Sequence, residues 1–261
     1  MHTFTDHLQH TIHLQKIPQR IISLVPSQTE FLIDLGLQAQ VVGITKFCIH
    51  PKDFWKKTTK IGGTKQFNFD KIRDVAPDLI IGNKEENYEE GIRNLQKDYA
   101  VWCSDIVTLQ DAYQMMKNLG AITDKDKIAG QIIDEIKANF AGLRQVANTA
   151  KVLYFIWQSP YMVAGQGTFI NEMLQVAGFL NVVQGSRYPV LSAEEIQALA
   201  PDYIFLSSEP YPFADKHIAA FKALCPQANV MVVDGELFSW YGSRLRHSAA
   251  YFKELQQKIY G

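Results

Sequence analysis

Short apolar runs rich in β-branched residues alternate along this chain with segments whose apolar residues recur at helical spacing. This alternation is typical of α/β units, because the strands of parallel sheets are buried on both faces and appear as continuous apolar runs. The pattern predicts an α/β fold, and the loosely alternating residues 5–15 predict a small antiparallel hairpin before it. The predicted strands are residues 20–25, 41–44, 78–81, 100–103, 151–157, 203–206 and 230–233.

Two segments of the chain resemble each other. Residues 71–81 read K-I-R-D-V-A-P-D-L-I-I and residues 195–205 read E-I-Q-A-L-A-P-D-Y-I-F, an offset of 124 from residue 71 to residue 195. At the same offset, Asn68 matches Ser192 as a helix cap and Glu85 matches Glu209 after the strand. A second echo sets residues 29–32 against residues 171–174. These repeats predict two related α/β lobes.

A single apolar stripe runs through residues 123–146, with Asp124 as the expected N-cap. We therefore expect one long helix to join the lobes, although an ordinary amphipathic helix inside one domain fits the same pattern. The predicted division is an N-terminal lobe over residues 1–122, a bridging helix over 123–148 and a C-terminal lobe over 149–261. The stripe consists of Ile128, Ile132, Ile136, Phe140, Leu143 and Val146.

Composition narrows the choice of partners. The 26 Lys and Arg nearly balance the 27 Asp and Glu, so we expect neither nucleic acid nor an anionic membrane as a partner. The three cysteines, Cys48, Cys103 and Cys225, form neither a disulfide framework nor a CxxC motif. The first twenty residues contain no apolar core of a secretory signal, so export of the chain as written is not expected and a cytoplasmic location stays open.

In open α/β sheets, ligands bind beyond the carboxyl ends of the strands, which makes the residues after each strand the candidates for a site. Ser27 and Glu30 fit a capping box that would leave backbone N–H groups at a positive helix end. Phe47 is expected to act as an aromatic wall. Cys48 and His50 are weaker candidates for a metal site or a thiolate pair.

Aromatic residues also follow the strands of the second half, including Trp157, Trp240 and Tyr241. Tyr and Trp at loop tips suit a large flat or ring-shaped ligand, and Arg244 would add a charge for a carboxylate or phosphate on it. No nucleotide-binding glycine motif, GxSxG elbow or HExxH motif occurs in the sequence. The sequence therefore favours a binding protein over an enzyme.

The motifs at residues 20–30 (R-I-I-S-L-V-P-S-Q-T-E), 42–45 (V-G-I-T), 61–63 (I-G-G) and 72–80 (I-R-D-V-A-P-D-L-I) resemble those of the periplasmic substrate-binding proteins of cobalamin and ferric-siderophore ABC importers, the BtuF-like family. The resemblance extends from about residue 15 to the end of the chain. It implies the class III periplasmic binding protein fold, in which one long helix joins two α/β lobes and the ligand lies in the cleft.

The resemblance also implies roles for particular residues. The matching loops offer aromatic side chains to a corrin-like ring, and one acidic residue per lobe is expected to dock on arginines of the permease. The docking candidates are Glu85 or Glu89 in the first lobe and Glu209 in the second. The aromatic candidates are Phe47, Trp157, Tyr188, Trp240 and Tyr241.

The leading hypothesis is a monomeric receptor that captures cobalamin, a ferric siderophore or haem and delivers it to an ABC permease and its ATPase. The family implies a periplasmic or cell-surface location and no intrinsic cofactor. One alternative is a cytosolic protein that handles a metal or cofactor through Cys48 and His50. A thiol hydrolase built on Cys48 is the weakest hypothesis.

Overall fold

The computed structural model describes residues 1–146 and 149–261, and these residues divide into two units. The first unit comprises Met1–Ile106, Gln110–Ile136 and Tyr241–Arg244. The second comprises Val107–Leu109, Lys137–Trp240 and Leu245–Gly261. Each half of the chain therefore contributes a short segment to the unit formed mainly by the other half.

Residues 1–141 form nine strands and six helices. The strands are β1 (His2–Thr5), β2 (Thr11–Leu14), β3 (Ile21–Ser23), β4 (Val41–Ile44), β5 (Thr59–Lys60), β6 (Gly62–Gly63), β7 (Gln66–Phe67), β8 (Leu79–Asn83) and β9 (Val101–Ser104). The helices are α1 (Pro26–Asp34), α2 (Lys52–Lys57), α3 (Phe69–Asp74), α4 (Glu89–Leu95), α5 (Leu109–Ile122) and α6 (Asp126–Ala141).

A five-stranded parallel sheet in the order β5-β4-β3-β8-β9 forms the centre of the first unit. Every residue of β3, β8 and β9 is buried, as expected for a parallel sheet covered on both faces. The strands predicted from the four apolar runs of this half are confirmed.

The predicted N-terminal hairpin is also confirmed: β1 pairs antiparallel with β2, and the hairpin packs against the last strand of the sheet. The backbone N–H of Cys103 donates to Asp6 Oδ2 at 3.1 Å, and the Cys103 carbonyl accepts from the His7 N–H at 3.1 Å. The His7 ring meets the buried Trp102 ring edge-on, with 5.4 Å between the ring centroids. The hairpin thus supplies β9 with hydrogen-bond partners on the side away from β8.

Residues 149–261 form five strands, a 3-10 turn at Asp215–His217 and five helices. The strands are β10 (Ala150–Trp157), β11 (Met162–Val163), β12 (Phe179–Asn181), β13 (Tyr203–Ser207) and β14 (Asn229–Val233). The helices are α7 (Phe169–Val176), α8 (Ala193–Ala198), α9 (Ile218–Leu224), α10 (Glu236–Ser239) and α11 (Leu245–Tyr260).

The sheet of the second unit has the order β11-β10-β13-β14, with β12 paired to the first half of β10. The three predicted strands of this half are confirmed as β10, β13 and β14, and they pair in parallel. The short β11 runs antiparallel to β10. Leu153, Phe155, Ile204 and Leu206 project from this sheet into a buried apolar core.

The internal repeat of the sequence is a repeat of structure. Helix α8 and strand β13 have the bounds of α3 and β8 shifted by 124 residues. The predicted caps are confirmed, because the Asn68 side chain accepts from the Lys71 N–H and Ser192 forms a capping box with Glu195. After each helix, the alanine before the Pro-Asp pair is left-handed, with φ of 43° at Ala76 and 42° at Ala200.

The predicted long helix is shorter than expected. It spans Asp126–Ala141, or about 24 Å at 1.5 Å per residue, and it ends before the glycine at position 142. Asp124 is not its N-cap, since that residue has a left-handed φ of 57°. Leu143 and Val146 lie beyond the helix, and residues 147 and 148 of the predicted segment are outside the described residues.

No helix in the described part of the chain combines the length and the apolar character needed to cross a bilayer.

Candidate ligand-binding surfaces

A buried polar network lies at the carboxyl ends of β8 and β9 in the first unit. The Ser104 hydroxyl accepts from the Gln28 side chain at 2.5 Å and from the Asn83 side chain at 3.0 Å. Asn87 connects this edge to the β6–β7 hairpin, because its amide nitrogen donates to the Thr64 carbonyl at 3.1 Å. The network holds the loops after the strands in place, since a buried polar group without a partner costs free energy. The sequence did not indicate this network, because the spacing of its residues matches no known motif.

Cys48 belongs to the interior of the first unit. Its sulfur receives a hydrogen bond from the Thr29 hydroxyl at 3.1 Å and lies 3.1 Å from the Thr45 hydroxyl. Burial raises the pKa of the Cys48 thiol to about 11, so the group is protonated at neutral pH and is a poor nucleophile. His50 is half-buried two residues later. Residues 1–146 and 149–261 contain no group of three or more His, Cys, Asp or Glu side chains placed to hold a metal ion.

Phe47, by contrast, is an open aromatic surface. Its side chain is 49% exposed in the loop that follows β4. The Lys46 ammonium lies 5.0 Å from the centre of the Phe47 ring. Gly63 lies beneath both side chains, because a Cβ at that position would come within 3.4 Å of the Phe47 ring. The role of Phe47 as an aromatic wall for a ligand stays a prediction, and the neighbouring Lys46 is a residue that the sequence pattern did not indicate.

Ser27 and Tyr241 come together in the first unit. Gly242, with a φ of 125°, lies against the Ser27 carbonyl, and a Cβ there would meet that oxygen at 3.1 Å. The Tyr241 hydroxyl donates to Glu86 Oε1 at 3.4 Å. Burial, followed by the nearby Glu86 carboxylate, raises the pKa of Tyr241 well above its ordinary value. Tyr241 is only 5% exposed, so contact of its ring with a ligand stays a prediction.

The predicted capping box at Ser27 is wrong. Helix α1 begins one residue earlier, at Pro26, and its N-cap Val25 offers no side-chain hydrogen bond. Glu30 is committed elsewhere: its carboxylate accepts from Arg244 Nε at 2.8 Å and from Arg244 Nη2 at 2.6 Å. Both side chains are mostly buried. The two-pronged ion pair occupies the guanidinium that we expected to meet a ligand carboxylate.

Trp157 is the exposed aromatic side chain of the second unit, with 40% of its surface open. Its indole N–H donates to the Ser159 carbonyl at 3.1 Å, and Tyr211 supports the ring edge-on with 5.3 Å between the ring centroids. The Tyr211 hydroxyl is itself fixed, because it donates to the Gln158 side chain at 2.8 Å. Trp157 is therefore a pre-positioned apolar surface at the carboxyl end of β10. The sequence pattern predicts that Trp157 contacts a ligand, but it does not indicate that Ser159 and Tyr211 hold the ring.

Tyr188 lies in a separate loop of the second unit and is half-buried. The guanidinium of Arg187 lies 5.9 Å from the centre of the Tyr188 ring. Arg187 has a left-handed φ of 61° and donates from Nη1 to the Gly167 carbonyl at 3.0 Å. These contacts fix the loop that carries Tyr188, whose role in binding stays a prediction.

Trp240 and Glu209 are joined in the second unit. Glu209 Oε1 accepts from the Trp240 indole N–H at 2.7 Å and from the Ser239 hydroxyl at 2.8 Å. Burial raises the pKa of Glu209 above its ordinary value. Trp240 is only 7% exposed. Glu209 therefore differs from the exposed carboxylate expected of a docking residue, because its side chain turns inward to these two donors.

The acidic candidates of the first unit differ in exposure. The Glu89 side chain is 77% exposed at the start of α4 and pairs with Arg93 at 2.5 Å. Glu85 is half-buried, and its backbone carbonyl accepts from the Lys65 ammonium. Of the two, Glu89 has the geometry expected of a docking residue.

The family of the chain is shown by comparison with known proteins. A family model described as periplasmic binding protein matches residues 21–224. This match covers well over half of the chain, and the protein belongs to the periplasmic binding protein family.

Individual relatives share less than a third of their aligned residues with this chain. The ABC transporter substrate-binding lipoprotein YvrC of Bacillus subtilis (strain 168) is 28% identical over 215 residues, which cover 77% of this chain and 68% of that protein. A vitamin B12-binding protein of Vibrio vulnificus (strain CMCP6) is 26% identical over 204 residues, covering 76% of this chain and 74% of that protein.

Solved structures show the fold class. The periplasmic haem-binding protein RhuT from Roseiflexus sp. RS-1 in apo form matches with a TM-score of 0.79 at 18% identity, covering 93% of this chain and 98% of that one. The fold is thus α/β, of the class III periplasmic binding protein type.

Proposed function

We propose that this protein captures a large metal chelate, of the cobalamin, haem or ferric-siderophore kind, and presents it to the permease of an ABC importer. Recognition rests on shape, aromatic contact and a few polar groups. No covalent chemistry is required of the protein, which agrees with the high pKa of Cys48, the thiol on which the hydrolase hypothesis depends.

The observation that carries this proposal is the exposed, rigidly held ring of Trp157. An exposed aromatic side chain usually makes few contacts that hold it in one rotamer. The Trp157 ring, however, is held by the Ser159 carbonyl and by the Tyr211 ring. A fixed apolar surface binds a flat ligand with little loss of side-chain entropy. Phe47 offers a second open ring at the carboxyl edge of the first unit.

The relatives support the chemical class of the ligand. One relative is named a vitamin B12-binding protein and one structural neighbour a haem-binding protein. Both ligands are large planar macrocycles that hold a metal. We infer that the ligand of this chain is of comparable size and that its metal arrives already chelated.

Delivery to a permease is proposed from the relative that is named an ABC transporter substrate-binding lipoprotein. Glu89 is the best-supported docking residue, because its carboxylate is exposed at a helix start. An arginine of a permease would compete with Arg93 for that carboxylate, and an exposed ion pair is weak enough to be exchanged. Glu209 would need to leave Trp240 and Ser239 first.

The test is a titration of the purified protein with haemin and with cyanocobalamin, followed by visible absorbance and calorimetry. We expect at least one of them to bind with a dissociation constant in the micromolar range or below, about −8 kcal/mol. Trp157→Ala should weaken that binding by about tenfold or more, through loss of a stacked ring.

The matched control is Tyr203→Ala. Tyr203 is an aromatic residue of the same unit at the amino end of β13, away from the carboxyl edge of the sheet. Affinity that is unchanged in Trp157→Ala, or lost equally in both variants, would contradict the proposed role of this surface.

A further inference from the structure

The lysines of this chain are concentrated in one part of the first unit. Residues 46–71 contain seven lysines and two aspartates and thus carry a charge of +5, whereas the whole chain carries −1. The remaining residues therefore carry −6. Such a local excess attracts anions even when the net charge of the protein is negative.

The same segment forms the walls of a cavity. The cavity has a volume of about 610 Å³ and is lined by the β6–β7 hairpin and its neighbours, including Lys46, Lys60, Gly63, Phe69 and Lys71. Phe69 is partly exposed and meets Phe67 edge-on, with 6.3 Å between the ring centroids. The lining thus combines aromatic surface with ammonium groups.

Both carboxylates of the segment are exposed and lie near basic side chains. Asp70, on the cavity wall, pairs with Arg73 at 3.1 Å, and Asp53 lies 3.9 Å from Lys56. In the part of the chain that the structure describes, neither Lys46 nor Lys71 pairs with a carboxylate. Their charges are therefore available to a ligand.

Another lysine of the segment, Lys60, has structural contacts. The Lys60 ammonium donates to the Thr58 carbonyl at 2.7 Å and lies 4.7 Å from the centre of the Trp55 ring. The Trp55 indole in turn donates to the Lys46 carbonyl at 3.1 Å. These contacts hold the backbone that presents the Lys46 side chain, which lies beside the open Phe47 ring.

We infer that the chelate captured by this protein is anionic and that its peripheral carboxylate or catecholate oxygens bind in this cavity, with Lys46 and Lys71 as specificity-determining residues. Aromatic surface beside free ammonium groups suits a flat ligand with a negatively charged rim. A ring with a neutral amide rim, such as the corrin of cobalamin, offers no carboxylate or catecholate oxygen to these ammonium groups. This inference rests on the proposed function and narrows its ligand class.

The test compares ligands that differ in charge. Haemin and haemin dimethyl ester share one ring but differ in their carboxylates, a ferric tris-catecholate is a second anionic source, and cyanocobalamin presents neutral amides. We expect haemin or the tris-catecholate to bind about tenfold or more tightly than the dimethyl ester and cyanocobalamin, with affinity that falls as salt is added. Which of the two anions binds identifies the source of the charge.

The variants locate the effect. The double variant Lys46→Gln/Lys71→Gln should remove the preference for the anionic ligand, whereas Lys127→Gln, an exposed lysine on α6, should leave it unchanged. Circular dichroism and the thermal midpoint establish that each variant is folded.

The outcomes separate the two proposals. Equal binding of haemin and its dimethyl ester, tightest binding of cyanocobalamin, or an unchanged preference in the double variant would overturn this inference while leaving chelate capture in place. Failure of all four ligands to bind would overturn the proposed function and this inference with it.

Discussion

Helix α3 with strand β8 in the first unit and helix α8 with strand β13 in the second are one local structure built twice. In both, the aspartate of the Pro-Asp pair anchors the neighbouring strand. The Asp78 carboxylate accepts from the Arg20 N–H at 2.8 Å, and the Asp202 carboxylate accepts from the Lys151 N–H at 2.8 Å. The shared features all bind backbone groups, so the repeat specifies the path of the chain.

The two units differ where these strands end. After β8, the Asn83 side chain accepts from the N–H groups of Glu85 and Glu86 and joins a buried polar network. After β13, Glu209 turns inward to the indole of Trp240. The groups around Asn83 are thus polar, whereas the Glu209 carboxylate is held by an indole. The same backbone framework therefore carries different side chains at the strand ends, where ligands of such sheets bind.

The outermost strands differ as well, and here we expect the largest effect of a single substitution. All of β9 is buried beneath the N-terminal hairpin, whereas most of β14 is half-buried. Asp6 fastens the hairpin: its carboxylate accepts from the N–H groups of Leu8 and His10 at 2.8 Å and of Cys103 at 3.1 Å. Asp6→Ala leaves these donors unpaired and should lower the free energy of unfolding by about 3 kcal/mol.

Urea denaturation measures this loss, and hydrogen exchange at the Cys103 amide should quicken in the variant. Asp98→Ala, at an exposed aspartate of the same unit, serves as the control and should change stability by less than about 0.5 kcal/mol. A loss below about 1 kcal/mol in Asp6→Ala would mean that the hairpin does little to stabilise this edge.

Glu30 in α1 and Glu172 in α7 occupy corresponding positions of the matched segments 29–32 and 171–174. Glu30 forms the two-pronged ion pair with Arg244 inside the first unit. Glu172 accepts from the Leu109 N–H at 3.4 Å in the second unit. We expect Glu30→Gln to cost about 2 kcal/mol, because a mostly buried guanidinium loses its counter-charge. Glu172→Gln keeps an acceptor and should cost less than about 0.5 kcal/mol.

A double-mutant cycle of Glu30→Gln with Arg244→Met checks the origin of this difference. We expect the two changes to be strongly non-additive, since each removes the same interaction. Additive losses would show that the ion pair contributes little to the first unit.

Glu209 offers a test that depends on pH. Glu209→Ala deprives the Trp240 indole and the Ser239 hydroxyl of their acceptor and should cost about 1–2 kcal/mol. Glu209→Gln retains an acceptor without the charge. Since burial raises the pKa of Glu209 in the folded protein, the stability contributed by its neutral form is complete below the ordinary value of 4.5 and is lost as the pH rises through the raised pKa.

Glu209→Gln should therefore gain stability relative to the natural protein as the pH rises from about 4 to 7. Chemical denaturation at several pH values measures the difference. A constant difference between the two proteins across this range would show that the carboxylate is not destabilised by its surroundings.

The sequence predicted the framework better than the surfaces it carries. Apolar runs and the repeated Pro-Asp motif located the seven main strands, because burial and backbone anchoring leave direct traces in residue type. The length of α6 was overestimated, since the apolar stripe continues beyond Ala141 although the helix does not. Glu30 and Arg244 are 214 positions apart, so no local sequence pattern predicts that they pair.

The exposed aromatic residues illustrate the same limit. Phe47, Trp157 and Trp240 are alike in sequence, as aromatic residues that follow strands. Two are open to solvent and one is nearly buried, because Glu209 accepts a hydrogen bond from the Trp240 indole. Exposure is decided by partners that are distant in the chain, and a sequence motif specifies only that an aromatic side chain is near the edge of the sheet.

The smallest expected effect concerns the most closely matched positions of the two units. Ala76 and Ala200 are both left-handed, with φ of 43° and 42°, and both precede a proline that restricts them further. Ala76→Gly and Ala200→Gly should each raise the free energy of unfolding by about 0.5 kcal/mol, since the relief of backbone strain exceeds the entropy that glycine adds to the unfolded chain. Precise urea denaturation curves resolve such a change. If the strain belongs to the repeated motif, the two gains are equal and additive in the double variant; a gain at one position alone would show that the surrounding unit, and not the motif, sets the strain.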